Sequence, residues 1–519
     1  MTSLLLRCLA ALAALLLLPC HAAAGPVVST RSGQLEGAEQ GGVRAFLGIP
    51  FAAPPVGANR WRAPQPVEAW AGVRPATGFG PSCWQAVSPE GFGPWSHEYV
   101  VQGEVSEDCL TLNVWAPAQA RKPAPVLVWI HGGGFNSGSG AIPIYHGAAL
   151  ARRGIVVVTI NYRVNVFGFL AHPELTKEAG GAPSANFGLQ DMIAALRWVR
   201  ENIRAFGGDP GAVTIAGQSA GASAVHALLA SPMAKGLFHR AIAQSGIPGR
   251  RPAPALAQAE KDGLAFAAEK GAASLAELRA LPAEALQPSR GGNAIRFVPA
   301  VDGALLPLSP EEALRRGAAA DVPMLAGFTA DELSLASDYG SADPELLRAL
   351  LEDNYGAADG PAAAFYAAGT EAERRASIIE LHRDRWRATL WLWAKDRAAH
   401  GRAPLYAYSF SRIAPGPQAE RWRAFHSSEI PYVFGTLGAA PERGFTAADR
   451  AFSGRIASYW VNFVRTGDPN GRRLPRWPAF DADRPIAMDL GERIAPRLLL
   501  APEKLRALAA HLGPPPPSD

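Results

Sequence analysis

The chain has 519 residues, 48% of them hydrophobic, a formal net charge of +4 and four cysteines. That length and apolar fraction suit a large packed core and exclude a disordered or repetitive chain. Its arginines are scattered, as between Arg374 and Arg387, and form no basic stripe, so no nucleic-acid partner is expected.

The first segment reads as a leader. Arg7 precedes an unbroken apolar run, Cys8 to Leu18, followed by Pro19-Cys20-His21 and Ala22-Ala23-Ala24. This is the layout of a secretory signal peptide, and the run is too short to remain as a membrane-spanning helix. Cleavage after Ala24 would remove Arg7, taking the charge from +4 to +3, together with Cys8 and Cys20. The expectation is an exported protein, periplasmic or secreted, with no stable membrane insertion. Lipid anchoring at Cys20 is the alternative, which Pro19 disfavours. Cys83 and Cys109 would then remain, and two cysteines in an exported chain most simply form one disulfide.

Short alternating segments at residues 26–50 predict an antiparallel sheet edge, and a proline-rich wrap follows from Ile49 to Pro66. From Leu110 to Trp115 onward strands alternate with helices. Val126–Ile130, Ile155–Asn161, Ala212–Ala216 and Val322–Phe328 read as buried strands. Asp191–Phe206 and Ala220–Leu229 carry helical spacing. Such alternation predicts an α/β fold with a large, mostly parallel sheet covered on both faces. Residues 250–295 and 340–400 are rich in Ala, Leu and Arg and predict helical cap insertions, while 513–519 reads as a loose Pro-rich tail. With no clear linker, residues 25–519 read as a single folded unit.

Two motifs carry the chemistry. Gly217-Gln218-Ser219-Ala220-Gly221 joins a β-branched run to a helical one. A strand turning sharply into a helix needs small flanking residues and lifts the serine hydroxyl above the sheet. Upstream, His131-Gly132-Gly133-Gly134-Phe135 follows a buried strand. Three glycines weaken any regular element, but they let backbone N–H groups face a substrate oxygen. Together the motifs nominate Ser219 as nucleophile and the N–H groups of Gly133, Gly134 and Ala220 as an oxyanion hole.

A serine nucleophile needs a base held by an acid, in the chain order serine, acid, histidine. His382 and His400 lie in helical, arginine-rich surroundings and His511 near the C-terminus. His426, where a strand-like segment gives way to a loop, is the expected base. The acid is Asp331 or Glu332, both at the end of the Val322–Phe328 strand; residue chemistry does not separate them.

The chain resembles the type-B carboxylesterases, the cholinesterase/carboxylesterase family of the α/β-hydrolase superfamily. The likeness runs through Phe46–Ala52, Ser106–Leu110, the Gly132–Phe135 loop, Asn161-Tyr162-Arg163, Gly207–Pro210, the serine elbow, Gln244-Ser245-Gly246, Phe297-Val298-Pro299 and Thr466–Pro469. It implies an α/β-hydrolase fold, selects Glu332 as the acid and pairs Cys83 with Cys109. It makes Glu107, Asp108, Arg163 and Asp191 structural ion-pair members. The implied activity is hydrolysis of a small-molecule carboxylic ester through an acyl-enzyme, with no metal or cofactor. Amide, lactone or thioester hydrolysis by the same triad is an alternative, as is a non-catalytic binding protein. Nothing in the sequence bears on oligomeric state.

The resemblance also marks departures. Gln218 stands where most relatives carry glutamate, and the tryptophan that holds a quaternary ammonium in cholinesterases has no clear match, with Trp95 and Tyr99 nearby. Asn293 and Ile295 replace bulky aromatics before Phe297. Phe135, Gln218, Asn293, Ile295 and Phe297 are therefore the expected substrate-pocket residues, and choline-like esters are disfavoured.

Overall fold

Eleven strands form the central sheet of the computed structural model, which describes residues 25–119, 122–246, 253–288 and 295–512. The leader 1–24, Asn293 and the tail 513–519 lie outside the described residues. The strands are β1 (Ala38–Gln40), β2 (Val43–Pro50), β3 (Thr111–Pro117), β4 (Ala124–Ile130), β5 (Val156–Ile160) and β6 (Gly208–Gln218). They continue with β7 (Arg240–Gln244), β8 (Met324–Thr329), β9 (Leu405–Phe410), β10 (Ile486–Leu490) and β11 (Ile494–Leu498). Across the sheet the order is β11-β10-β9-β8-β7-β6-β4-β5-β3-β2-β1. Pairing is parallel from β5 through β4 and β6 to β10, and antiparallel at both margins.

The middle strands are apolar on both faces because both faces are covered. Along β4, Val126, Val128 and Ile130 enter one buried cluster, and Leu127 and Trp129 enter the other. The first cluster includes helices α1 (Phe187–Asn202) and α2 (Ala220–Ala230). The second is closed by a long helix, Ala447–Thr466, through Phe452, Ile456, Trp460 and Phe463 at helical spacing. Each fully buried Val, Leu or Ile contributes about 1.5–3 kcal/mol of hydrophobic stabilisation. The strands beneath the site are thus held from both sides.

The two segments expected to be helical contain Leu256–Glu269 and Leu275–Ala280 in the first, and Pro344–Tyr355 and Glu371–His400 in the second. No helix among the described residues is long and apolar enough to cross a membrane.

Candidate active site

Strand β6 ends at Gln218, in register with Gln244 on β7, and α2 begins at Ala220. Ser219 between them has φ 58° and ψ −123°, and its N–H donates to the Gln244 carbonyl at 2.8 Å. A non-glycine residue in that region costs about 1–3 kcal/mol and persists only where its surroundings enforce it. Here they do: a Cβ on Gly217 would lie 2.4 Å from the Gly221 backbone, and one on Gly221 would lie 2.1 Å from the Ile130 carbonyl oxygen. The serine therefore sits at the carboxyl edge of the sheet and the N-terminal end of a helix, where dipole and free N–H groups favour negative charge.

On the neighbouring strand β4, Ile130 leads into the glycine loop. Gly133 adopts φ 109° and Gly134 φ 66°. A Cβ on Gly133 would lie 2.1 Å from the Ser137 carbonyl oxygen, so the loop closes only around glycine. His131 is buried, its ring stacked on Tyr162 with centroids 4.2 Å apart, and burial pulls its pKa down to about 4. It is a neutral support of the loop. Phe135 packs edge-on against Phe169 and is buried.

Strand β8 ends at Thr329, and the two adjacent acids part company just beyond it. Asp331 accepts from Arg383 at 2.7 Å, from the Tyr339 hydroxyl at 2.6 Å and from the Ala424 N–H. Glu332 turns the other way: its Oε1 accepts from the Thr329 N–H at 2.8 Å and its Oε2 pairs with Nδ1 of His426. Burial of Glu332 works against ionisation, but the His426 charge and hydrogen bond outweigh it and hold the carboxyl below its ordinary value. For His426, burial disfavours the imidazolium, and Glu332 more than offsets this, raising its pKa above the ordinary value.

A carboxylate at Nδ1 places the ring proton there, which leaves Nε2 as an acceptor. Nε2 meets the Gln218 side-chain Nε2 at 3.1 Å, so the amide donates to the neutral imidazole. Behind the histidine lies a second buried carboxyl. Glu429 accepts from the Gln244 amide at 2.9 Å, and Gln244 in turn accepts from the Trp460 indole at 2.9 Å. Burial, with the nearby Glu332 charge adding to it, pushes Glu429 up to about 7.

A cavity of about 780 Å³ opens above these groups. Ser219, Gln218, His426, Gly133, Gly134 and Ile295 all line it. Glu332 stands behind His426, and Ala220 supplies its backbone at the helix start. Phe297 is buried against Phe266 and is not among the lining residues, nor is Phe135. Trp95 and Tyr99, without a clear match in sequence, both lie in the cavity wall. The Trp95 indole donates to the His426 carbonyl at 3.1 Å. Arg296 also lines the cavity, the one Arg, Lys, Asp or Glu among its described lining residues.

Cys83 and Cys109 are joined, with Cα atoms 4.9 Å apart. The segment they close carries Val87, Phe92, Trp95 and Tyr99 into the cavity wall. Arg163 pairs with Asp191 at 2.7 Å, and Arg60 with Glu107; both are scaffold ion pairs outside the cavity lining.

Sequence reading did not reach Glu429, Gln244 or Arg296 as site residues, and it left Trp95 unassigned. The available signal was a second titratable group, Glu429, three residues beyond His426.

The chain is similar to known proteins along most of its length. The carboxylesterase family model matches residues 24–503. The chain is 41% identical over 470 residues to fumonisin B1 esterase of Sphingopyxis macrogoltabida, covering 87% of this chain and 84% of that protein. It is 38% identical over 472 residues to para-nitrobenzyl esterase of Bacillus subtilis (strain 168), covering 88% and 92%. A solved PNB esterase structure superposes with a TM-score of 0.77 at 35% identity, covering 93% of this chain and 99% of that one. The fold is thus of the α/β-hydrolase type, and the chain belongs to the carboxylesterase family, as a carboxylic ester hydrolase.

Proposed function

We propose that this enzyme cleaves esters with a Ser219–His426–Glu332 triad. His426 Nε2, giving up its contact with the Gln218 amide, takes the Ser219 proton as Oγ attacks the ester carbonyl. Glu332 orients the imidazole and stabilises its charged form. The N–H groups of Gly133, Gly134 and Ala220 hold the oxyanion of the tetrahedral intermediate. Collapse expels the alcohol, which takes its proton from His426. Water deprotonated by His426 then attacks the acyl-serine, and a second collapse returns the acid and free Ser219. What supports the reading is one observation: the His426 ring is bonded through Nδ1 to buried Glu332 and lines the same cavity as Ser219 at its strained turn.

The cavity also bears on substrate class. Gln218 supplies an amide where a carboxylate would repel anions, and Arg296 supplies a cation. Neutral or acidic esters suit such walls better than cationic ones. The charge–apolar–alanine order of residues 1–24 further supports export, with residues 25–519 acting as one catalytic unit; the mature chain should begin at Gly25.

The test is Ser219→Ala. Ester turnover should fall by about a million-fold with the fold retained. A folded variant keeping a tenth of wild-type activity would remove Ser219 from the mechanism.

A further inference from the structure

A second cluster of chemistry-bearing groups lies outside the lining of the catalytic cavity, where the turn His97–Tyr99 meets the turn Pro441–Arg443. His97 Nδ1 stands 3.8 Å from Glu98 Oε2 and 3.5 Å from Glu442 Oε1. One ligand atom from each residue lies within 4.8 Å of the other two. Glu98 is the telling member. It is only 1% exposed, and its Oε1 is taken by Arg443 Nε. Its Oε2 has no hydrogen-bond partner among the described residues, yet it points at the imidazole. A buried carboxylate oxygen left in that state is costly, by about 1–3 kcal/mol or more, so a site that retains one needs a reason.

We infer that His97, Glu98 and Glu442 form a binding site for a divalent transition-metal cation of the zinc class, separate from the catalytic centre. Ligands at about 2.0–2.2 Å around a tetrahedral zinc stand roughly 3.3–3.6 Å from one another. The two separations from His97 Nδ1, 3.8 Å and 3.5 Å, are within a few tenths of an ångström of that edge. His97 and Glu442 have side chains 44% and 53% exposed, so both can adjust and a cation can enter from solvent. One imidazole with two carboxylates selects zinc, nickel or copper over magnesium and calcium, which favour all-oxygen shells. Two carboxylates also outweigh the single guanidinium of Arg443. That guanidinium bonds the Pro94 carbonyl at 2.7 Å and the Ser96 hydroxyl at 2.6 Å, leaving the orphan oxygen free.

The position suggests what the cation does. Trp95 and Tyr99, either side of His97-Glu98, line the cavity, while Glu442 belongs to a turn 345 residues away from His97. A cation bridging the two turns would fasten the cavity wall from outside without touching the reacting atoms.

The experiment titrates zinc against a chromophoric chelator with metal-stripped wild type, His97→Ala and Glu442→Gln. The two substituted positions are partly exposed and outside the catalytic machinery, and ester turnover without metal serves as the fold check. The expected result is one equivalent bound by wild type, weakened at least tenfold in each variant, with zinc raising the unfolding midpoint of wild type alone. Magnesium and calcium should not displace it. Equal zinc affinity in wild type and both variants would overturn the site, as would no binding by wild type. Either result would leave a plain polar cluster at these turns and would leave the ester-hydrolase reading untouched.

Discussion

Replacing Gln218 by glutamate should move the pH dependence of turnover. In the native enzyme an amide N–H meets Nε2 of His426 at 3.1 Å, a contact that favours the neutral ring. A carboxylate oxygen in that place would instead favour the imidazolium. Two unit charges at 3.1 Å with an effective dielectric near 20 attract by about 5 kcal/mol. Burial opposes this, because position 218 is only 2% exposed and a new carboxylate there raises its own pKa. A remaining third of the attraction still corresponds to about one pH unit. Since catalysis needs neutral His426, the acid limb of the kcat/KM profile for Gln218→Glu should shift upward by at least about one unit. The assay is kcat/KM for a neutral ester from pH 5 to 9 in wild type and variant, at low salt. The same pair should show selectivity moving toward a cationic ester over its neutral isostere. A folded, active variant with an unmoved acid limb and an unchanged selectivity ratio would refute the electrostatic account.

The two adjacent acids should separate by phenotype. Glu332→Gln should lose most turnover with modest change in stability. Asp331→Asn, which breaks the pair with Arg383, should lose about 3 kcal/mol of stability while retaining activity, as read by denaturant titration and ester assay. Removing the crosslink by Cys83→Ser with Cys109→Ser opens a loop of 26 residues, and should lower stability by about 3–4 kcal/mol on loop-closure grounds, read by urea unfolding. Glu429 holds its proton to about 7 when folded, against about 4.5 when unfolded. The folded state thus binds more protons across that window, and this group's contribution to stability falls as pH rises through it. Glu429→Gln should remove about 2.5 kcal/mol of the stability lost between pH 5 and pH 8; an unchanged loss would contradict the assignment.

What could be read from sequence was local or strand-borne. Ser219 announces itself because the elbow's constraint lies within five residues, where Gly217 and Gly221 are sterically required. The strands of β4, β5, β6 and β8 were legible because burial on both faces writes continuous β-branched runs. The choice between Asp331 and Glu332 was not legible from residue type. It depends on which way each side chain turns after the strand, and Arg383, some fifty residues on, is what claims Asp331. The Gln218–His426 contact spans 208 residues and the Glu98–Arg443 pair spans 345, separations at which no spacing pattern operates. Trp95 was ambiguous for a related reason: its segment has little regular structure, and the crosslink and the indole bond to His426 fix its place.

That crosslinked segment divides labour within the molecule. Ser219 and Glu332 follow closely on strands clamped by two buried layers, with His426 on a turn beside them, whereas much of the chamber they face is a covalent hoop. Its residues can be exchanged without disturbing strand register, and its reach is capped by the tether at its base. Tailoring this enzyme to a new ester is therefore a matter of rewriting the hoop between Cys83 and Cys109 and leaving the strand tips alone.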